Sequence, residues 1–258
     1  MQLDLGDRRL AYWDSGTGRP LVLIHGAGTP GELWADDVAD LARDCRYITY
    51  DRRGFGASSE SPGSWEAHCE DAIDLIERLD AAPAVLVGFS GGAIIALDLV
   101  LRRPELVSAL VLLDPTFNVR RCLTPGLVRA VVTAQVLGRL RGERRGAEVW
   151  LRYVTGAAFE NASAERREKI LANASAIFAD LDAGGGEHVD ESRFGEIQIP
   201  VTLVEARLHP PFLRRSCARL KRLLPQARVI ELERSGHAVN VDAREEVVAI
   251  LRDVVRRD

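Results

Sequence analysis

Short apolar runs recur along the chain with amphipathic stretches between them. The first two segments, QLDLG and RLAYWD, alternate polar and apolar positions and predict a short antiparallel pair of strands. Continuous apolar runs follow at 21–25 (LVLIH), 46–50 (RYITY), 84–88 (AVLVG) and 108–114 (SALVLLD). Such short, uninterrupted runs fit strands buried on both faces of a parallel sheet. Between them, 32–43, 64–80 and 91–103 carry a helical period, and Ser64 is the expected N-cap of the second. Further strands are expected at 200–205 and 228–232, with a closing helix in DAREEVVAILRDVV. Strand and helix in regular turn predict an α/β fold with a doubly wound, mostly parallel sheet.

From 117 to 196 the strand signal stops. PGLVRAVVTAQVLGRLR, RRGAEVWLRYVTGAAF and AERREKILANASAIFADL read as helices, and the turn-rich GGGEHVDESRFGE returns the chain to the next strand. The organisation expected is an α/β core at 1–116 and 197–258, with a helical lid at 117–196 inserted after the strand that ends at Asp114.

Composition then narrows the classes of function. A chain of 258 residues, 47% of them hydrophobic, can bury one large core. Its 34 basic and 38 acidic residues give a net charge of -4, which leaves no electrostatic footprint for nucleic acid. MQLDLGDRRL carries charge where a signal peptide needs an apolar core, and no run approaches the roughly 18 apolar residues of a membrane span. A cytoplasmic protein without a membrane partner is the expectation. Cys45, Cys69, Cys122 and Cys217 lie far apart with no C-x-x-C spacing, and so read as free thiols rather than disulfides or zinc ligands. No cofactor and no metal is implied, the expected partner is a small-molecule substrate, and the oligomeric state is left open.

The chemistry concentrates in Gly88-Phe89-Ser90-Gly91-Gly92, which fits G-x-S-x-G, follows the strand AVLV directly and precedes the helical run AIIALDLVLRR. A sharp strand-to-helix turn forces its central residue into a strained backbone conformation and lifts Ser90 to the edge of the sheet. The helix behind it aims free N–H groups at any oxyanion formed there. A serine hydroxyl is a weak nucleophile without a base in hydrogen-bonding reach. Ser235-Gly236-His237 supplies one, in a loop after the last strand and before the final helix.

Over nearly its whole length the chain resembles the α/β-hydrolase superfamily, on three motifs in the right order: His25-Gly26-Ala27-Gly28, the Ser90 turn and the His237 loop. The resemblance implies an oxyanion hole from the backbone N–H groups of Ala27 and Gly91. It implies a structural role for His25, and for Tyr50-Asp51-Arg52-Arg53-Gly54-Phe55-Gly56-Ala57-Ser58 as a turn-forming segment. After the strand IPVTLVE the family usually carries an aspartate, yet this chain has Ala206-Arg207-Leu208-His209-Pro210, with His209 at the expected position. Asp114, which ends the preceding strand, resembles the placement in members whose acid follows that earlier strand. Adjacent strands are about 4.8 Å apart, so a shift by one strand can still leave it within reach of His237. Glu205, or a Ser–His pair with no acid, is the alternative. His209 is then a polar group of the substrate site or a bystander.

Gly26-Ala27-Gly28-Thr29-Pro30-Gly31, with Asp51 twenty residues on, also fits the dinucleotide-binding pattern G-x-G-x-x-G. Two strands precede it, Pro30 removes an N–H from the turn, and the Ser90 and His237 contexts go unexplained. A dinucleotide-dependent oxidoreductase is the weaker reading.

Substrate choice falls to the insertion. Val128, Val131, Val132 and Val136 recur at helical spacing, as do Trp150, Tyr153 and Val154; most are expected to pack the lid on the core, with others walling a cleft above Ser90. Phe89, Trp150, Tyr153 and His209 are the candidate substrate contacts. Residues 117–160 hold eight arginines against three glutamates, charges that solvated helix faces explain and that also admit an anionic substrate group. The function expected is a serine hydrolase, of esterase, lactonase or thioesterase type, that cleaves a small or medium, partly apolar ester, thioester or lactone through an acyl-enzyme. A cofactor-independent lyase, cyclase or C–C hydrolase is the alternative enzyme, and a small-molecule binding protein with vestigial turnover the alternative outside catalysis.

Overall fold

The chain enters its sheet through β1 (Gln2–Asp4) and β2 (Arg9–Ser15), an antiparallel pair, in a computed structural model that describes residues 1–58 and 62–257. There follow β3 (Pro20–Ile24), α1 (Gly31–Asp37), β4 (Arg46–Tyr50), α2 (Trp65–Arg78), β5 (Ala84–Phe89), α3 (Gly92–Arg102) and β6 (Val107–Leu113). Five helices come next: α4 (Pro125–Arg141), α5 (Glu143–Thr155), α6 (Ala157–Glu160), α7 (Ala164–Leu171) and α8 (Ala174–Asp182). The sheet resumes with β7 (Val201–Ala206), α9 (Pro211–Leu223) and β8 (Arg228–Leu232), and α10 (Val239–Asp242) and α11 (Arg244–Arg256) close the chain. The strands form one eight-stranded sheet in the order β1-β2-β4-β3-β5-β6-β7-β8, parallel from β4 onward.

Alternation along the buried strands divides the interior in two. Ala84 and Leu86 of β5 join the core built with α2, α3 and α9, whereas Val85, Val87 and Phe89 face the opposite core with Trp34 of α1 and Val247 and Leu251 of α11. Both faces are covered, which is why these strands read as unbroken apolar runs. The Ser64 side chain caps α2 by accepting from the Ala67 N–H.

Three expected helices are divided, each for a local reason. The 32–43 segment leaves α1 at Val38 and tightens into a 3-10 turn over Ala39–Arg43. Three-residue spacing stacks Val38 and Leu41 on the same side, and both are buried. Gly156, with φ at 52°, separates α5 from α6. Asn173 separates α7 from α8 by turning its amide to the Lys169 carbonyl while its Oδ1 accepts from the Gly56 N–H at 2.6 Å.

The inserted helices pack on the sheet through two apolar clusters. Leu151, Phe159, Ile170 and Ile177 meet Leu33 and Phe55, and Leu127 and Val154 meet Phe212 and Leu213 of α9. Phe117, Val189 and Phe194, at the ends of the insertion, sit in the main core with α3. Among the described residues no helix is long and apolar enough to cross a membrane. Cys45, Cys69, Cys122 and Cys217 are buried, unpaired thiols.

Candidate active site

Ser90 and Gly91 are the two residues between β5 and α3, and Ser90 takes φ at 51°. A non-glycine residue in this left-handed region costs on the order of 1–3 kcal/mol. Hydrogen bonds hold it there: its N–H donates to the Leu113 carbonyl at 3.0 Å, and its carbonyl accepts from Ala93 and Thr116, each at 3.1 Å. The crowding explains two glycines. A Cβ on Gly92 would stand 2.1 Å from the Ile24 carbonyl oxygen, and one on Gly26 would stand 2.6 Å from the Ser90 Cβ.

Three distant segments meet at this turn. His237 Nε2 lies 2.9 Å from Ser90 Oγ, and His237 Nδ1 lies 2.6 Å from Asp114 Oδ2. Asp114 follows β6 with φ at 38° and is fully buried. Its other oxygen, Oδ1, accepts from the Ala206 N–H at 3.0 Å and from His209 Nδ1 at 2.7 Å. Burial alone would raise the Asp114 carboxyl, but hydrogen bonds from His209 and His237 outweigh it and hold the group below its ordinary value. The carboxylate therefore stays ionised and accepts from Nδ1 of both rings, which leaves His237 Nε2 free to face Ser90.

Neighbouring turns fix these side chains. Ser216 of α9 donates to the Pro115 carbonyl and accepts from the Phe117 N–H, each at 2.8 Å, clamping the turn after Asp114. Leu208 N–H donates to the Ser235 carbonyl at 2.9 Å, tying the His209 loop to the His237 loop. Asp242 closes the latter by accepting from the Gly236 N–H. Phe89 stacks on the His237 ring at 5.2 Å between centroids, with Trp34 edge-on behind it.

Ser90 and His237 open on a cavity of about 280 Å³ between the strand ends and the inserted helices. Ala27 and Gly91 lie on its wall beside Ser90, and the N–H groups of both are without a hydrogen-bond partner among the described residues. Its far side is aliphatic and aromatic: Leu123, Leu127, Val128, Val131, Val132, Trp150, Val154 and Phe212. Sequence spacing leaves open which of Val128, Val131, Val132 and Val136 pack the insertion on the core and which wall a cleft. Val128, Val132 and Val136 are roughly half exposed, and Val128, Val131 and Val132 line the cavity, because Leu127, Ala130 and Ala134 form the packed face of α4.

The other sequence candidates fall elsewhere. Tyr153 stacks on Phe212 and borders an adjacent cleft on the far side of His237, not the cavity at Ser90. Phe89 supports the His237 ring from below. Glu205 makes an ion pair with Lys221 and comes within 3.8 Å of His209 Nε2, but is not a partner of His237. His209 borders the same adjacent cleft as Tyr153 rather than the cavity at Ser90, with its Nδ1 bonded to Asp114. His25 accepts from the Arg52 N–H through Nε2 and donates to the Gly26 carbonyl through Nδ1. Asp51 closes the turns at Gly31 and Ala57 with both carboxylate oxygens and is buried, out of reach of a ribose. Its carboxyl is raised to about 6, by burial.

Two groups near Ser90 carried no legible sign in the sequence. Thr116 brings its hydroxyl within 3.4 Å of Ser90 Oγ. Asp180 of α8 reaches the cavity wall and receives the buried Arg52 guanidinium, whose Nη2 lies 2.5 Å from Oδ2. Thr116 is placed by the turn after β6, and Asp180 is one acid within an otherwise helical pattern. Asp114, His209 and Cys217 also bring ligand-type atoms within 4.8 Å of one another. As metal ligands they fit poorly: the Nδ1 of His209 is committed to Asp114, and burial first, with Asp114 and Glu205 adding to it, keeps the Cys217 thiol protonated.

Residues 21–250 match the model of the alpha/beta hydrolase family, and the chain belongs to that family. It is similar to "Putative carbamate hydrolase RutD" of Agrobacterium fabrum, 31% identical over 238 residues that cover 86% of this chain and 87% of the relative. "Putative non-heme bromoperoxidase BpoC" of Mycobacterium tuberculosis is 47% identical over 107 residues, a match spanning 40% of this chain and only 41% of that relative. Among solved structures, the enol-lactonase of Burkholderia xenovorans superposes with a TM-score of 0.82 at 21% identity, over 98% of each chain, a likeness of fold.

Proposed function

We propose that this protein is a serine hydrolase that passes the acyl group of a small or medium, partly apolar carboxylic ester, thioester or lactone to Ser90 and then to water. The observation that carries the reading is the unbroken run from Ser90 Oγ to His237 Nε2 at 2.9 Å and from His237 Nδ1 to Asp114 Oδ2 at 2.6 Å. His237 takes the Ser90 proton as Oγ attacks the carbonyl carbon, and Asp114 holds the ring in the tautomer able to do so. The N–H groups of Gly91 and Ala27 receive the charge on the tetrahedral oxygen. Collapse breaks the bond to the leaving group, which takes the proton from His237. Water, deprotonated by His237, then attacks the acyl-enzyme, and Ser90 recovers its proton as the acid departs.

The aliphatic lining of the cavity supports an apolar acyl part, and α4 to α8 act as the lid that excludes water around it. The names of the relatives, a carbamate hydrolase and an enol-lactonase, fit cleavage at an acyl carbon. The test is a panel of ester, thioester and lactone substrates with intact-mass analysis of the quenched enzyme. An acyl mass on the peptide containing Ser90, forming and decaying at competent rates, is the expected result. Turnover that persists in Ser90→Ala, or an adduct that never releases, would overturn the reading.

A further inference from the structure

Two histidines share one carboxylate. His237 takes Asp114 Oδ2 and His209 takes Asp114 Oδ1, both through Nδ1, at 2.6 and 2.7 Å. His209 is buried, and its Nε2 points toward the Glu205–Lys221 ion pair, 3.8 Å from Glu205 Oε1. Ser90, His237, Asp114 and His209 thus form one line of contacts that runs from the cavity into the protein and ends on a partly exposed ammonium group.

We propose that His209 is a positioning residue of the hydrolytic site, which fixes the Asp114 carboxylate toward His237 and draws off part of its charge. The inference rests on Ser90, His237 and Asp114 acting as proposed above. A carboxylate on a short side chain can rotate about its final bond, and without His209 the remaining donors on Oδ1 would be the Ala206 N–H at 3.0 Å and the long, weak contact of the Cys217 thiol at 4.0 Å. The two short donors on Oδ1, Ala206 N–H and His209 Nδ1–H, pin the plane of the carboxylate so that Oδ2 faces His237. A hydrogen bond accepted at Oδ1 also stabilises negative charge there and weakens Oδ2 as an acceptor. The carboxylate that faces His237 is therefore already partly satisfied from behind.

The chemistry makes a directional expectation. Loss of the His209 donor concentrates the Asp114 charge on His237, stabilises its imidazolium and raises the pH at which it loses its proton. The titratable and charged groups around the pair are Asp114, Glu205 with Lys221, and Cys217 near His209, and Asp242 and Arg234 beside His237. Apart from Asp114 none of these makes a hydrogen bond to either ring, so the displacement reports the shared carboxylate.

The experiment compares His209→Phe, which keeps a ring and removes the donor, with His209→Asn, whose amide N–H can stand near the Nδ1 position. Steady-state kinetics on 4-nitrophenyl butyrate are followed from pH 5 to 9, with folding checked by thermal melting. In His209→Phe, kcat should fall about 10- to 100-fold, the scale known for partners that orient a metal-ligating side chain and applied here to the orientation of Asp114. KM should stay within about twofold, a split expected when substrate binding is untouched. The acidic limb of kcat/KM should move to higher pH, and His209→Asn should restore most of kcat and return the limb. Proton NMR of the wild type should show two far-downfield imidazole N–H signals, of which His209→Phe retains one, displaced. An unchanged limb in a folded His209→Phe, or equal loss in the Phe and Asn variants, overturns the proposal. If His209→Phe does not fold, the Asn variant and the wild-type NMR spectrum decide it: two downfield signals and near-normal kinetics support it, and a single signal overturns it. Labelling of Ser90 by a fluorophosphonate separates the two readings: failure to label the wild type removes the hydrolase assignment itself, whereas normal labelling with an unmoved limb removes only the role of His209.

Discussion

Ser90 Oγ and His237 Nε2 lie 2.9 Å apart although 147 positions separate them in the chain. The contact exists because β5 and β8 deliver both residues to the same edge of a parallel sheet, one on a strained turn and the other on a loop tied down by Leu208 and Asp242. If the pair works as a unit, its members cannot be lost independently. Ser90→Ala and His237→Gln should each lower kcat by about 10⁶-fold, and the double variant should fall no further. Steady-state rates on one activated ester, with circular dichroism to confirm the fold, check this. Additive losses would mean that the two side chains serve separate steps.

Asp114→Asn should cost about 10⁴-fold in kcat with the fold retained, because an amide facing His237 no longer fixes the tautomer and cannot stabilise the imidazolium. Glu205→Gln should change kcat by less than about tenfold, since Glu205 reaches this line only through the back of His209. Reversal of that order would move the acid from β6 to β7.

Most of this arrangement was legible in the sequence. The strands were readable because both faces of the sheet are covered, and the turn at Ser90 because a strand, two spaced glycines and a helix leave a strong local signature. Asp114 could be chosen once His209 stood where an acid is usual in the family the chain resembles. What escaped was the partnership between Asp114 and His209, 95 positions apart, because no periodicity records which oxygen of a carboxylate a distant ring will approach. The valines of α4 escaped for a related reason. Helical spacing reveals a face but not what lies opposite, so it could not say which valines would wall the cavity and which would stand in solvent.

Two histidines away from Ser90 predict how stability responds to acid. Burial first, with the Arg52 charge adding to it, pushes both His25 and His68 below the ordinary histidine value. A histidine lowered in the folded state is neutral there while the unfolded chain still binds a proton, so its stabilising contribution is present above about pH 6.5 and is lost as pH falls. Each such group contributes a slope of about 1.4 kcal/mol per pH unit below that value. Asp51, raised to about 6 by burial, acts in the opposite sense: its contribution is present below about pH 3.9 and is lost as pH rises through 6. His68→Phe isolates one term, since its Nδ1 has no hydrogen-bond partner among the described residues. Relative to its value at pH 7.5, the stability of His68→Phe should improve on the wild type by about 1.4 kcal/mol at pH 5.5. Urea unfolding at the two pH values checks it, and a difference that does not change with pH would show that His68 is protonated in the folded protein.

Acyl chain length probes the cavity at Ser90 directly. Each methylene moved from water into an apolar cavity contributes about 0.8 kcal/mol, or about fourfold in kcat/KM when the contact persists into the transition state. With the cavity walled by Leu127, Val128, Val131, Val132 and Val154, kcat/KM for 4-nitrophenyl esters should climb from acetate by about that factor per carbon until the space is filled. Val131→Phe adds volume inside that wall without touching Ser90, His237 or the Ala27 and Gly91 N–H groups. The acetate ester should keep kcat/KM within about twofold of the wild type, because one methyl group needs little of the cavity. The longest esters should lose about 10-fold or more, since the methylenes that no longer fit forfeit their share of binding and meet a filled wall. The optimum chain length should therefore shorten. A profile that stays flat in the wild type, or one that Val131→Phe lowers equally at every length, would show that the acyl group lies outside this cavity.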